Sequence, residues 1–398
     1  MLKIFANKKF SGVLEYDEEK REFIFNYEND SPLSLIMPYR FKSYVSKYNL
    51  HPVFDMNIPE GYLFLLLKNM LIKKYGKIND FIILKHLSDT IDGYLTYKNN
   101  IEENKNTIFD LEEILKSKEQ DLFSKLVYDF FSKSAISGVQ PKVLVPLKDR
   151  VTLSIKEYII KSFSDEFPHL AENEYFCMKA TAYAGIKTPK FWLSENKKLF
   201  VIEKFTYIKN NNEYYGFEEF CGLFGFTREG KYNGSYEKIT KAISRISTDN
   251  EKDLKDFFKM IVMSYLLKNG DAHLKNFGIL YTSDFKTRFL APAYDVVNTV
   301  IYMPNDKPAL SLFGKKIWFN KKKLLQFGEE FCFLDKEIVL EEFNICIIAI
   351  EKIKKDIESY IQLNPDFTEY GNKFLNVLNF SLDDNINNSY KELPDGIL

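Results

Sequence analysis

The sequence predicts an α+β fold in which a strand-rich amino-terminal part precedes a helical carboxy-terminal part. Short stretches of alternating apolar and polar residues recur up to about residue 205, as in half-buried strands. From residue 236 onward, apolar residues recur at helical spacing instead. Hydrophobic residues make up 45% and charged residues 28% of the 398 residues, which suits a packed core and two or three domains.

Composition excludes several classes of protein. The 55 Lys and Arg nearly balance the 56 Asp and Glu, so no basic excess indicates a nucleic-acid binder. The longest apolar runs, such as residues 62–67, are too short to cross a bilayer, and the amino terminus shows no secretory signal. The four cysteines lack metal-binding spacing. They predict buried free thiols in a reducing cytoplasm.

The first hundred residues predict a small α/β unit. Residues 2–9 form a strand that enters a turn, and residues 10–16 and 22–27 alternate as two further strands. Apolar residues at helical spacing predict a helix over 59–72. The polar stretch 98–110 is a candidate linker.

The middle of the chain predicts one helix, several strands, a second helix and a last strand. In chain order these elements are a helix over 111–131, strands over 142–146, 151–155 and 157–161, a helix over 172–183 that stops near Gly185, and a strand over 198–205. Apolar stripes then predict helices around 254–266 and over 339–363. We therefore divide the chain into domains 1–105, 106–235 and 236–398.

The most informative stretch follows the predicted helix around 254–266. Gly270 can end that helix in a left-handed conformation, which leaves Asp271 on a loop five residues before Asn276. Phosphoryl transfer needs a carboxylate to orient the acceptor hydroxyl and an oxygen ligand for magnesium, and the Asp-x-x-x-x-Asn spacing of a kinase catalytic loop supplies both. A lone match of this kind is more often a surface turn.

A second acid strengthens the kinase interpretation. Asp295 follows a short predicted strand pair and would bind magnesium beside Asn276. Lys161 closes a predicted strand and could hold nucleotide phosphates, and residues 201–205 lie where a hinge should meet adenine. The segment 137–142 joins a helix to a strand but matches no established phosphate-loop motif, so spacing alone indicates only a turn.

Together these segments resemble the HipA family of bacterial toxin serine/threonine kinases. The matching blocks occur in family order over about residues 1–330. They are Gly12-Val13-Leu14, residues 32–38 and 57–62, Ser137-Gly138-Val139-Gln140-Pro141-Lys142, Asn173-Glu174-Tyr175-Phe176-Cys177, Glu203-Lys204-Phe205, residues 271–277 and Ala293-Tyr294-Asp295-Val296. The resemblance implies a two-lobed protein-kinase-like fold with a strand-rich N-lobe, an all-helical C-lobe and a small α/β amino-terminal subdomain.

The resemblance also implies roles for individual residues, with ATP and Mg²⁺ as cofactors. Asp271 would be the catalytic base, assisted by Lys161, and Asn276 and Asp295 would be the metal ligands. Glu174 is a candidate to pair with Lys161. The nucleotide-binding residues that the family implies are Ser137, Gly138, Val139, Gln140, Lys142, Lys161, Glu203, Lys204, Phe205, His273, Lys275, Asn276, Tyr294 and Asp295.

One departure from the family concerns autophosphorylation. Family members carry a regulatory serine before the phosphate loop, often within Ser-Ile-Ser, where this chain has Ala135-Ile136-Ser137. Ser134 and Ser137 remain as possible acceptors. Three alternatives stay open: Ser137 is used, autoinhibition is lost, or the alanine was introduced to trap one state.

The resemblance implies a toxin kinase that phosphorylates a protein hydroxyl, on an aminoacyl-tRNA synthetase, and thereby arrests translation and growth. It also implies a HipB-like helix-turn-helix antitoxin, with DNA contacted only through that partner, and a cytoplasmic location without membrane contact. A catalytically silent pseudokinase acting as an antitoxin or co-repressor subunit is the alternative. Intact Lys161, Asp271, Asn276 and Asp295 argue against it. A small-molecule kinase on the same scaffold is a third hypothesis.

Overall fold

The computed structural model describes residues 1–99, 110–117, 126–127, 151–154, 157–162 and 167–386. The chain forms two compact units, each assembled from separate stretches of sequence. The strand-rich unit comprises Met1–Pro168, Phe191–Gly230 and Leu280–Lys286, and the helical unit comprises His169–Lys190, Lys231–Ile279 and Thr287–Leu398. The domain boundaries after residues 105 and 235 stay a prediction.

The strand-rich unit begins with an antiparallel five-stranded sheet in the order β4-β3-β2-β1-β5. Its strands are β1 (Leu2–Ala6), β2 (Lys9–Asp17), β3 (Glu22–Tyr27), β4 (Tyr44–Lys47) and β5 (Leu95–Lys98). Asn7 and Lys8 connect β1 to β2 with φ of 45° and 67°, the left-handed pair that a tight hairpin turn requires. The three strands predicted here are confirmed.

Four helices of the same unit accompany this sheet. They are α1 (Pro52–Asp55), α2 (Gly61–Tyr75), α3 (Asp80–Leu87) and α4 (Leu111–Lys116). The Asp110 side chain caps α4 by accepting from the Glu112 amide at 2.7 Å. The prediction of one helix over 111–131 is wrong at Ser117, whose extended backbone ends α4. The linker prediction falls on 100–109, outside the described residues.

A second sheet of the strand-rich unit has the order β6-β7-β9-β8. Its strands are β6 (Val151–Ser154), β7 (Tyr158–Ser162), β8 (Phe191–Leu193) and β9 (Leu199–Glu203). Short elements follow as β10 (Tyr207–Ile208), β11 (Glu213–Tyr214), β12 (Gly216–Glu219) and α6 (Phe220–Leu223). Buried Ile160 and Val201 belong to the same apolar core as Leu2 and Ile4, so the two sheets share one core. The predicted strand over 142–146 lies outside the described residues.

The helical unit is built around long amphipathic helices. Its elements are α5 (Leu170–Tyr183), α7 (Tyr236–Ile246), α8 (Asn250–Leu266), α9 (Lys321–Glu330), α10 (Lys336–Leu363), α11 (Thr368–Ile386) and the strand β14 (Arg288–Leu290). The strand β13 (Gly278–Tyr281) begins in this unit, and its last two residues belong to the strand-rich unit. Gly185 follows α5 with φ of 69°, as predicted for a helix stop. The helices predicted for this part of the chain are confirmed, and so is the short strand pair predicted after residue 276.

All four cysteines are buried, as predicted. Within the described ranges, every helix is too short or too polar to cross a membrane.

Candidate active site

The predicted catalytic loop begins where α8 ends, but the residue that ends the helix is not the predicted one. Lys268, a buried residue, has φ of 53°, whereas Gly270 has no positive φ. Gly270 serves a different purpose, because a Cβ at this position would lie 1.9 Å from Asp306 Oδ2 and 2.6 Å from Thr299 Oγ1. Its amide donates to Thr299 Oγ1 at 2.9 Å. The glycine is required for close approach and not for a left-handed turn.

The loop from Asp271 to Asn276 is held by its own hydrogen bonds. The His273 amide donates to the Asp271 carbonyl at 2.8 Å and to Asn276 Oδ1 at 3.1 Å. The Asn276 amide donates back to the His273 carbonyl at 3.0 Å. The Asp-x-x-x-x-Asn segment therefore forms one compact turn that carries both side chains and fixes that of Asn276.

Asp271 is partly exposed and lies beside two ring side chains. Its Oδ1 accepts a hydrogen bond from the Tyr232 hydroxyl at 3.0 Å. His273 Nε2 lies 3.7 Å from the same oxygen, and the His273 ring meets Tyr232 edge-on at 5.2 Å. With about a third of its side chain exposed, the carboxylate can reach a reactant at the surface of this unit.

Asn276 and Asp295 form the candidate magnesium site. Asn276 Nδ2 donates to Asp295 Oδ2 at 2.8 Å, so the two predicted ligands are in contact. Because Asn276 Oδ1 accepts from the His273 amide, the orientation of the side-chain amide is determined by the loop. Carboxylate and amide oxygens are hard donors, and Mg²⁺ is commonly held by one or two such groups together with substrate phosphates and water. The residues present therefore fit this ion.

The segment that carries Asp295 is fixed to helix α5. Asn173 is fully buried on α5, and its side-chain amide donates to the Asn298 carbonyl at 2.8 Å and accepts from the Asn298 amide at 2.8 Å. Asn173 Nδ2 also donates to the Tyr370 hydroxyl at 2.6 Å. A buried polar side chain with every partner supplied holds its neighbours in one arrangement. Asn173 thus helps to place Asp295, the predicted metal ligand, which lies three residues before Asn298.

Two further predicted residues join this cluster. The Tyr294 hydroxyl donates to the Lys275 carbonyl, so the residue before Asp295 is bonded to the residue before Asn276. His273 is buried, with 6% of its side chain exposed. The helical unit therefore brings together six of the predicted residues, namely Asp271, His273, Lys275, Asn276, Tyr294 and Asp295.

The remaining described nucleotide-binding candidates lie in the strand-rich unit, on β7 and at or just after the end of the adjacent strand β9. Lys161 is buried, is paired across the sheet with Phe200, and places Nζ 5.8 Å from the Phe200 ring centroid. Glu203 ends β9 and forms a 2.7 Å ion pair with Lys209. The pairing of Lys161 with Glu174, which is buried on α5, stays a prediction.

The predicted hinge is braced within its own unit. The Lys204 amide donates to the Glu157 carbonyl at 2.7 Å, and its ammonium group donates to the Asp92 carbonyl. Burial lowers the pKa of Lys204 to about 8. The Phe205 ring packs edge-on against Phe217 at 5.2 Å. The Lys204 side chain therefore anchors this segment, and its predicted role beside the nucleotide stays a prediction.

Ser134 and all of the predicted phosphate-loop residues, namely Ser137, Gly138, Val139, Gln140 and Lys142, lie outside the described residues. Their nucleotide contacts and autophosphorylation stay predictions. In the described part of the chain, no three His, Cys, Asp or Glu residues gather into a cluster that could hold a metal.

Sequence reasoning missed two residues of this site. From the sequence, Asn173 is identified only as part of a family block. An asparagine on the buried, apolar face of a helix nevertheless indicates a specific hydrogen-bonding role. No sequence pattern indicates the role of Tyr232, because it lies 39 residues from Asp271 and local patterns extend over only a few residues.

Two family models match most of the chain. Residues 2–98 match the HipA N-terminal domain, and residues 134–355 match the HipA-like C-terminal domain. A provisionally named kinase of Haemophilus influenzae is 32% identical over 185 residues, which cover 42% of this chain and 53% of that protein. The provisionally named kinase Y4dM of Sinorhizobium fredii is 26% identical over 213 residues, half of each chain. The chain thus spans about half the length of the curated relatives it matches.

A solved structure matches nearly the whole chain. It is described as the Shewanella oneidensis MR-1 toxin–antitoxin complex of HipA, HipB and operator DNA. The similarity has a TM-score of 0.70 at 15% identity and covers 97% of this chain and 98% of the matched chain. At that identity the comparison concerns the fold alone, and it confirms the predicted fold class.

Proposed function

The chain belongs to the HipA family, and on that premise we propose that it is an ATP- and Mg²⁺-dependent serine/threonine protein kinase. The observation that carries the proposal is the cluster in the helical unit. A partly exposed carboxylate, Asp271, lies on the same tight turn as Asn276, and Asn276 contacts the second acid, Asp295. A proton acceptor beside a pair of hard oxygen ligands is what phosphoryl transfer requires.

Each residue of the cluster has a proposed role. Asp271 accepts the proton of the acceptor hydroxyl and orients that hydroxyl. Asn276 and Asp295 hold the magnesium ion, which when bound neutralises charge on the nucleotide phosphates. Lys161 contacts those phosphates. Positioning and charge neutralisation supply most of the catalysis in reactions of this kind.

The nucleotide contacts in the strand-rich unit belong to the same proposal. Residues 137–142 form the phosphate loop, and Glu203, Lys204 and Phe205 form the hinge beside adenine. Ser137 or Ser134 accepts phosphate in autophosphorylation. A phosphate there adds about −1.5 to −2 charges to a loop that must hold ATP, so we expect it to inactivate the enzyme.

The proposed biological role is that of a toxin kinase neutralised by an antitoxin. The structural relative is described in complex with HipB and operator DNA, which supports a HipB-like helix-turn-helix partner through which this chain would meet DNA. The protein substrate is an aminoacyl-tRNA synthetase, and its phosphorylation arrests translation and growth. The place of action is the cytoplasm.

Transfer of labelled γ-phosphate from magnesium-ATP into a bacterial extract tests the proposal. We expect a protein band labelled by the unmodified chain and a decrease of about 10²- to 10⁴-fold with Asp271→Asn, the usual contribution of a general base. Asp284→Asn, which changes an exposed aspartate, is the matched control and should label normally.

The alternatives predict different outcomes of the same experiment. Equal labelling by the unmodified chain and Asp271→Asn would contradict the assignment of the base. ATP binding without any transfer, in an extract that retains tRNA, would favour the pseudokinase. Transfer to a small acceptor with no labelled protein would favour a small-molecule kinase.

A further inference from the structure

Tyr232 contacts the proposed catalytic base. Its hydroxyl donates a hydrogen bond to Asp271 Oδ1 at 3.0 Å, while 44% of the residue is exposed to solvent. Tyr232 precedes the α7 cap Ser235, which accepts a hydrogen bond from the Lys238 amide. A tyrosine hydroxyl that donates to a carboxylate can hold that carboxylate in one orientation.

The phenol is held in place from several directions. Its ring meets the buried ring of His273 edge-on at 5.2 Å and an interplanar angle of 77°. Its backbone carbonyl accepts from Lys316 Nζ at 3.3 Å. The carbonyl of the preceding residue, Lys231, accepts from the Leu274 amide at 3.0 Å, and this bond connects the segment to the predicted catalytic loop. The position of the hydroxyl relative to Asp271 is therefore set by the fold.

These contacts distinguish the two oxygens of Asp271. Oδ1 receives the Tyr232 hydroxyl and is also the oxygen nearest His273 Nε2, at 3.7 Å. Within the described residues, no hydrogen bond is formed to Oδ2. A carboxylate anchored through one oxygen cannot rotate freely, and the other oxygen keeps its lone pairs for a reactant.

We propose that Tyr232 is a positioning residue that anchors Asp271 through Oδ1 so that Oδ2 faces the acceptor hydroxyl. The inference rests on the proposed kinase activity. In the transfer step the acceptor oxygen forms a bond to the γ-phosphorus of ATP, and the bond from that phosphorus to the β,γ-bridging oxygen breaks. ADP leaves with the bonding electrons, and the acceptor proton passes to Asp271 Oδ2. Tyr232 keeps its own proton throughout.

Replacing Tyr232 by phenylalanine tests the proposal, because the variant keeps the ring and loses only the hydroxyl. A loosened base lowers the rate of the chemical step, and a misplacement of about 1 Å can cost about 100-fold. We expect Tyr232→Phe to lower kcat by about 10- to 100-fold while the KM for ATP stays near that of the unmodified chain. The thermal midpoint should stay unchanged, because this hydroxyl is exposed.

Tyr236→Phe is the matched control. The Tyr236 hydroxyl donates to the Ala272 carbonyl at 3.1 Å, so this variant loses an equally long bond to the same loop without touching the carboxylate. We expect a lower Tm, because Tyr236 is fully buried, with most of kcat retained. An equal loss of kcat in Tyr232→Phe and Tyr236→Phe would show that Tyr232 only stabilises the loop and does not position the carboxylate. That result would overturn the proposal.

Other outcomes are also decisive. An unchanged kcat for Tyr232→Phe would show that the hydroxyl is dispensable, an increased kcat would show that it competes with the acceptor, and phosphate found on Tyr232 would make it an acceptor. Any of these results overturns the proposal. If the unmodified chain transfers no more phosphate than Asp271→Asn, the proposed kinase activity fails, and the positioning role fails with it.

An NMR measurement that does not depend on phosphate transfer distinguishes a failure of the Tyr232–Asp271 contact from a failure of the proposed kinase activity. In a chain labelled with ¹³C at tyrosine Cζ, the Tyr232 resonance is identified by its loss in Tyr232→Phe. It should move in Asp271→Ala, whereas the resonance of Tyr183, whose hydroxyl bonds to Asp356 on α10, should stay in place. A Tyr232 resonance that does not respond to Asp271→Ala would refute the contact itself, whatever the activity.

Discussion

Asn173 and Asn298 are joined by two hydrogen bonds of 2.8 Å: Asn173 Nδ2 donates to the Asn298 carbonyl, and Asn173 Oδ1 accepts from the Asn298 backbone amide. The pair links helix α5 to the segment that carries Asp295, across 125 positions of sequence. Both residues are fully buried. The position of Asp295, the proposed magnesium ligand, therefore depends on a residue outside the proposed metal and nucleotide sites.

Asn173→Ala should destabilise the helical unit. The substitution leaves the Asn298 amide and carbonyl without their partner, and each buried unsatisfied group costs about 1–3 kcal/mol. We expect the free energy of unfolding to fall by about 2–4 kcal/mol in urea denaturation. Thr181→Ala is the control, because the hydroxyl of this equally buried residue donates to the Cys177 carbonyl within the same helix. Equal stability of the two variants would contradict the role given to Asn173.

Asn276→Ala should raise the magnesium requirement of the proposed kinase. The variant removes one proposed ligand and also the bond that orients Asp295. We expect at least about a ten-fold rise in the Mg²⁺ concentration for half-maximal transfer, in the range known for groups that orient metal ligands. Titration calorimetry of magnesium-ATP should show weaker binding, and Asn250→Ala, an exposed amide, should change neither quantity. An unaltered Mg²⁺ dependence would contradict the ligand assignment.

Gly270→Ala should strain the start of the catalytic loop. The added methyl group would overlap Asp306 Oδ2 and Thr299 Oγ1, which must both move. Overpacking of this kind costs about 1–3 kcal/mol, which urea denaturation can measure. Adding Asp306→Ala should recover part of the loss, because the closest atom belongs to Asp306. Gly93→Ala is the control, since its nearest neighbour would lie 3.9 Å away, and a single variant as stable as this control would disprove the overlap.

Glu218 should make stability depend on pH. Burial raises the pKa of this carboxyl from 4.5 to about 7, and the Leu35 amide, which donates to Oε1 at 2.5 Å, opposes the rise. Because the folded-state pKa is the higher one, the stabilising contribution is complete below about pH 4.5. It is lost as the pH rises through 7, by up to about 3 kcal/mol.

Urea denaturation at pH 5 and pH 8 measures this contribution. Glu218→Gln should remove most of the difference between the two pH values, since the amide oxygen can still accept from Leu35 and carries no charge. Glu28→Gln, at an exposed position of the same unit, should leave the difference unchanged. An undiminished pH dependence in Glu218→Gln would assign the effect to another group.

Much of the local structure could be predicted because it depends on neighbouring residues. The alternation in 10–16 and 22–27 produces β2 and β3, and the apolar stripe over 339–363 ends where α10 ends, at Leu363. The Asp271–Asn276 turn is a local feature of six residues, so its spacing is visible in the sequence. The prediction fails where a helical pattern continues in the sequence but the helix does not. The helix predicted over 111–131 ends at Ser117.

The sequence by itself determined the fold class, the Asp271–Asn276 spacing and the family. Only the tertiary structure decided that Lys268 and not Gly270 takes the left-handed backbone, that Asn173 braces the Asp295 segment, and that Tyr232 bonds to Asp271. The physical reason is range. Periodicity and turn chemistry act over a few residues, whereas these three features depend on groups brought together from distant positions, whose packing and hydrogen bonding outweigh local preference.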